Sequence, residues 1–377
     1  MSATGGSEWL WLPHVHWGTL IALYLFLGGV SGGAYLTSTW ASVMRSLLGS
    51  DSRLAELLLA DTEHRFSCAE TARWESVLSV LAIAVGGVAL LSHLGAPLRA
   101  LTFPILFTNF GSWLVIGTWV IVLFTTVAAL ETLWLHFGRQ AAADSGLSLF
   151  PRAILGRIDG AMPWSSDRGI VHLLDRLADL IRPPDRVHWG IRIVGGVLAV
   201  LLVVYTAMLL SAVVVVPFWT RTYLPVIFLL SGISTGISAA LLGTVLSGGA
   251  LTRTNHRFCL TDDVIIVVEL AAIWGLLSYL STTANVAGGA TEAALFGAYW
   301  SEFVLGVLVL GTGLPVALSL TVTLVHQFTD FGETDLGERL LTGGYALKYA
   351  LVLAGGFLLR YVVLLAAVKT PLAVPGL

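Results

Sequence analysis

Charge is what this sequence lacks. Asp, Glu, Lys and Arg make up 11% of its 377 residues, against 56% hydrophobic, where average soluble domains carry about 25% charge. So few charges cannot give a protein of this length a polar surface, and the mean hydropathy of +0.86 places it in a bilayer. Cysteine is scarce too. Cys68 and Cys259 stand in separate segments, beside Arg, Asp and Glu, without the C-x2-C spacing of a metal or redox pair. They read as free thiols near an interface. Two thiols exclude an iron–sulfur cluster held by this chain alone, which takes about four. A net charge of −3 gives no footing for a nucleic-acid partner.

What the sequence does have is long apolar runs. A hydrocarbon core of about 30 Å is crossed by about 20 residues of helix, and eight such runs occur, at 17–41, 74–95, 112–136, 189–216, 224–249, 264–287, 299–325 and 345–369. They are expected to be the transmembrane helices, spans 1 to 8, of an all-α integral membrane protein. Nothing basic precedes the first run and no small-residue cleavage pattern stands before it, so it is expected to remain as span 1 rather than be removed as a signal peptide.

The basic residues sort by side. Arg45, Arg53, Arg65 and Arg73 follow span 1; Arg139, Arg152, Arg157, Arg168, Arg176, Arg182 and Arg186 follow span 3; Arg253 and Arg257 follow span 5, and Arg339 follows span 7. The other side has Arg99, Arg221 and Lys369, while Arg192, Lys348 and Arg360 fall within spans. By the positive-inside rule both termini face outward. The segment 138–188, broken by "PW" at 163 and "RPPDR" at 182, reads as an inside loop with one or two interfacial helices.

An internal echo divides the sequence. "LGGVSGGA" at 27–34 and "LSGISTGI" at 230–237 share L-x-G-[VI]-S-x-G, "LLSHL" at 90 answers "LLSYL" at 276, and Trp113 and Trp300 open spans 3 and 7. Three matches in the same order suggest two parallel four-helix bundles. The first would take spans 1 to 3 within 1–137 and, past the loop 138–188, span 4 at 189–216; the second would take 217–377. Gly28 with Gly32, Gly29 with Gly33 and Gly232 with Gly236 form small-xxx-small pairs, read as helix-packing sites rather than ligand contacts.

Polar groups at membrane depth are costly and are candidates for function. His16 and Trp17 fall at the outer end of span 1, His93 at the outer end of span 2, Tyr205 in the outer half of span 4, Glu302 just inside the outer end of span 7, and Arg360 in the outer part of span 8. Glu75, Glu131 and Glu269 fall towards the inner ends of spans 2, 3 and 6. Two readings stand for these acids: steps of a hydrogen-bonded ladder for protons, or interfacial carboxylates paired with inside arginines. His16 has two as well. It belongs to an aromatic belt with Trp9, Trp11 and Trp17, or, titrating near neutral pH, it exchanges protons with a quinone. Haem is not expected, because His64, His136, His172, His188, His256 and His326 lie at or beyond the inner ends of spans and supply no facing pair at mid-membrane depth.

Certain segments resemble the membrane subunits of the NrfD and polysulfide-reductase family. They are "ALYLFLGGVSGGAYL", "LLSHLGAPLRALTFPILFTNFGSWLVIGTWVIVLF", "VYTAMLLSAVVVVPFWTRTYLPVIFLLSGISTG", "GVLVLGTGLPVALSL" and "LLRYVVLLAA". The resemblance covers nearly the whole sequence outside the long loop, with "HLGxPxR" and "PFW…LP…FLxSG" its more specific parts. It implies a haem-free membrane anchor that binds a quinone, menaquinone in particular, in the cytoplasmic membrane. The expected partners are a four-cluster iron–sulfur subunit and a molybdopterin catalytic subunit, besides membrane lipid. The resemblance carries over to His93 and Arg99 of "HLGxPxR", and more loosely to His16, which occupies the family's place for a polar residue just before span 1; all three are quinone-binding candidates. Trp17 and Tyr205 are added as quinone-binding candidates, and Glu131, Glu269, Glu302 and Arg360 as a proton path, from depth alone. A secondary transporter and a structural anchor without a working quinone site remain the alternatives.

Overall fold

The computed structural model describes residues 18–48, 62–93, 102, 106, 109–139, 150–161, 169–246, 253–282, 286–328 and 334–368. Among these, eight helices are long and apolar enough to cross a membrane. They are span 1 (Thr19–Leu48), span 2 (Thr62–His93), span 3 (Trp113–His136), span 4 (Asp185–Ser211), span 5 (Leu224–Leu246), span 6 (Arg253–Thr282), span 7 (Ser301–Gly313 continuing as Leu314–Phe328) and span 8 (Asp335–Leu365). A helix is what the sequence must form here, because a backbone in lipid has to satisfy its polar groups internally.

Helix and apolar run differ at several ends. Spans 2, 6 and 8 begin well before their apolar runs, since a helix continues past the hydrocarbon wherever its next residues still tolerate it. Span 4 differs the other way. The apolar run reaches 216, but the helix stops at Ser211 and the backbone turns through Val213, Val216 and Trp219. Val216, Phe218 and Trp219 are buried, and the Trp219 indole donates to the Val363 carbonyl at 2.8 Å. Hydropathy alone does not separate a buried apolar turn from more helix. Span 6 stops at Thr282, short of 287, and a separate helix, Val286–Phe296, leads to span 7. Span 7 opens as a π-helix and turns α-helical at Leu314, beside Pro315, whose nitrogen has no hydrogen to donate.

Spans 1 and 5 form the middle. In their most apolar windows 61% and 67% of residues are buried, against 28% in spans 3 and 6, which face outward. Span 1 packs on spans 2, 4, 5 and 8, and span 5 on spans 1, 2, 4, 6 and 8. The two copies of the repeated motif meet here. A methyl group on Gly33 would run into the Gly232 carbonyl, and one on Gly236 into the backbone of Gly33 and Ala34, so these helices touch backbone to backbone. Gly32 faces Ala199 and Val203 of span 4, whereas Gly28 has nothing within 4 Å. The serine of each motif reaches the span that follows its own: Ser31 donates to Ser79 O of span 2 at 2.7 Å, and Ser234 to Asp262 Oδ1 of span 6 at 2.6 Å.

The long loop contributes two helices, Phe150–Ala161 and Ile170–Ile181. Asp159 caps the second, accepting from the Ile170 and Val171 amides at 2.9 Å. Asp175 holds Arg152 bidentately, at 2.8 and 2.7 Å, and accepts from Gly138 N at 2.9 Å. Gly138 has φ +89°, where a side chain would be strained and would also meet Asp179. The two helices are thus fastened beneath the end of span 3. That end of the bundle, where spans 1, 3, 5 and 7 finish, is the arginine-rich end.

Candidate functional site

The candidates read from sequence fall in different places. His16, Trp17 and Arg99 lie outside the described residues, and His93 is described only as the last helical residue of span 2. Tyr205 is buried, and its ring lies so close to Gly117 of span 3 that a methyl there would overlap it. Glu302 is at the start of span 7, where it accepts from its neighbour Ser301 at 2.7 Å in an exposed contact. Glu131, Glu269 and Arg360 are all buried. Glu269 and Arg360 belong to one group of side chains and Glu131 to another.

Glu131 is held from span 4. His188 and Arg192, one helical turn apart, both point at it: His188 Nε2 is 3.1 Å from Oε1, and Arg192 Nη2 donates to Oε2 at 2.8 Å. The Arg192 guanidinium also lies 5.4 Å from the centre of the Trp189 ring. Nearby, His136 Nε2 is 3.2 Å from Ser76 Oγ and 3.1 Å from the Arg73 carbonyl. Glu75 is fully buried, and neither carboxylate oxygen has a hydrogen-bond partner among the described residues. Its helical neighbours Ala72 and Ser79 meet span 1 at Ser38 and Ser31.

The second group, between spans 5 and 8, is larger. Arg360, fully buried in span 8, donates to Ser231 Oγ of span 5, to Gly356 O at 2.9 Å and to Phe228 O at 3.4 Å. Ser231 stands between Arg360 and the Glu269 carboxylate. Ser231, Ser234, Thr235, Glu269 and Thr312 share a cavity whose remaining walls include Gly311, Gly355 and Gly356. On the far side of Ser234 sits Asp262, which also accepts from Ser238 at 3.3 Å. Lys348 Nζ follows, 3.6 Å from Asp262 Oδ2, 2.6 Å from Asp263 Oδ1 and 2.9 Å from Cys259 Sγ. Asp262, Asp263 and Ser234 do not stand out in the sequence. "TDD" at 261–263 reads as the polar edge of an apolar run, yet 262 and 269 are two helical turns apart and share a face.

Apolar helices packed around buried ion pairs, in a sequence with too little charge for a polar surface, define a multi-pass membrane protein. The sequence matches the family described as "Polysulphide reductase, NrfD" over residues 12–372, and the protein belongs to that family. It is similar to "Protein NrfD" of Escherichia coli, 29% identical over 316 residues that cover 80% of this protein and 83% of the relative. It is similar to the polysulfide reductase C subunit of Wolinella succinogenes, 28% identical over 82% of this protein and 84% of the relative. A "Protein NrfD homolog" of Haemophilus influenzae is 28% identical over 82% and 85%.

Proposed function

We propose that this protein is the haem-free, quinone-binding membrane anchor of a respiratory oxidoreductase in the cytoplasmic membrane, with menaquinone as its quinone. It has both termini outside and its helices in two related four-helix bundles. Its electrons pass to or from a four-cluster iron–sulfur subunit, with a molybdopterin subunit beyond. The observation that carries this reading is the family match across residues 12–372, which takes in the whole bundle. The name of the Wolinella relative, a lettered subunit of a reductase, supports a role as one subunit among several. His136 and His188 each engage Nε2 within the protein, with Ser76 and Glu131, which favours an anchor without haem ligands.

The headgroup would lie among His16, Trp17, His93, Arg99 and Tyr205 at the outer end. Tyr205 fits such a role: the close approach at Gly117 fixes its ring between spans 3 and 4. His16 and His93 would each give a hydrogen bond to a ring oxygen and a route for its proton. When bound, the quinone supplies two-electron, two-proton redox chemistry. A buried polar headgroup left without its partner costs about 1–3 kcal/mol, roughly a five- to hundredfold effect. His16→Ala and His93→Ala are therefore expected to lower quinone-dependent turnover of the purified complex by that factor, while artificial-donor activity at the partner subunit is retained. Wild-type quinone kinetics in both variants would favour a structural anchor. A secondary transporter would show no quinone-dependent turnover.

A further inference from the structure

The two helices of the long loop leave an apolar face uncovered. Along Ile170–Ile181, Leu173, Leu177, Leu180 and Ile181 recur at i, i+4, i+7 and i+8, the spacing of one helix face. All four are exposed, Leu180 by 81% and Leu173 by 65%. This is not the face that fastens the helix, because Ala178 and Leu174 turn instead to Trp134 and Phe137 at the end of span 3. Phe150–Ala161 is built alike: Leu155 packs on the same cluster, while Ile154 and Ile158, one turn apart, are exposed. A contiguous apolar surface beyond the packing seam marks an interaction site.

The charges beside it are unevenly used. Asp159 caps the second helix, Asp175 holds Arg152, and Asp179 accepts from the Arg139 amide at 3.0 Å. Asp185 lies in the first turn of span 4, where a carboxylate suits the helix N-terminus. Arg157, Arg176 and Arg186 are exposed, and among the described residues they form no ion pair, unlike Arg152 and Arg192. At i, i+3 spacing Arg157 flanks Ile154, and Arg176 flanks Leu173. Arg186 stands two turns before Ile193 and in line with Val197, both exposed on the outer side of span 4. An occupant of this surface must therefore be apolar, must carry negative charge along its edge, and must continue the surroundings of span 4. A phospholipid leaflet meets all three conditions; an acidic soluble protein meets only the second.

We propose that the two loop helices and the first turn of span 4 bind anionic phospholipid in the leaflet at the arginine-rich end. Leu173, Leu177, Leu180 and Ile181 lie among the upper acyl chains. Arg157, Arg176 and Arg186 reach up to the phosphates, which a guanidinium can hold through two parallel hydrogen bonds. Acyl chains of the lipid held by Arg186 run down along Ile193 and Val197. The surface is independent of the quinone reading.

The test uses the full-length protein in lipid nanodiscs, with Cys68→Ser and a bimane label on Leu180→Cys or on Gly160→Cys, a turn beyond Arg157. The Leu180→Cys label is expected to be quenched by phosphatidylcholine bearing a nitroxide near the top of its acyl chain and to be shielded from aqueous iodide; the Gly160→Cys label should show the reverse. Nitroxide-bearing phosphatidylglycerol should half-quench the Leu180→Cys label at a mole fraction about fivefold below that of nitroxide-bearing phosphatidylcholine, the factor one arginine supplies beside an anionic surface. Replacing Arg157, Arg176 and Arg186 together by glutamine should bring the two fractions level, with the label still within reach of the nitroxide. Quenching of the Leu180→Cys label by iodide alone would overturn the proposal by placing the face in water, and shielding from both quenchers would overturn it by placing a protein there, such as a second copy of this chain. Equal fractions with the arginines intact, or a phosphatidylglycerol preference that survives their replacement, would overturn it as well.

Discussion

Glu131 shows what one residue risks by sitting in a membrane protein's interior. It is 3% exposed, and its partners Arg192 and His188 are 12% and 14% exposed. Desolvating both members of such a pair offsets most of their attraction, so the intact pair adds little net stability, but removing one member strands the other. Arg192→Leu is accordingly expected to cost about 3–5 kcal/mol, read as a lower unfolding midpoint in detergent, and Glu131→Leu added to it should restore most of the loss. A single variant as stable as the wild type would mean that the pair does not form. At this scale the sequence was legible only in part. Glu131, Glu269 and Arg360 stand out because each interrupts an apolar run. Lys348 also stands out, but its acceptor Asp263 is 85 positions away, at the edge of an apolar run where acids are ordinary. Pairing across that distance is a product of packing, and no local pattern encodes it.

Between helices, the governing feature is how closely backbones approach. The repeated motif supplies glycines to both spans 1 and 5, and the fold presses the copies together at Gly33, Gly232 and Gly236. Gly33→Ala puts a methyl against a carbonyl that cannot swing aside, and should lower the yield of assembled complex and its unfolding midpoint. Gly28→Ala, in open space, should leave both unchanged or slightly improved, since alanine favours helix by about 1 kcal/mol. Equal effects from the two variants would count against the crossing. The number and order of the spans were readable from hydropathy, because about 20 apolar residues in lipid have few other solutions. The turn after Ser211 was not readable. "VVVVPFW" is as apolar as a span, and only the burial of Val216, Phe218 and Trp219 reveals that the chain turns inward there. The π-helical start of span 7 was equally hidden, apart from the proline at its end.

For the molecule as a whole, orientation decides what every polar group can exchange with. Spans 1, 3, 5 and 7 finish at the arginine-rich end, where the helices Phe150–Ala161 and Ile170–Ile181 are joined by Asp159 and held under span 3 by Asp175. Basic residues near span ends resist translocation, so this end should face the cytoplasm. Gly160 is a suitable reporter: it is exposed, and a new side chain there meets nothing within 4 Å. Thr222, exposed in the turn before span 5, reports on the opposite end. With Cys68 replaced by serine, and Cys259 shielded by complete burial, a membrane-impermeant maleimide added to intact cells should label Thr222→Cys and spare Gly160→Cys. In inverted vesicles the pattern should reverse. Labelling of Gly160→Cys from outside intact cells would turn the bundle over and place the arginine-rich end on the outer side.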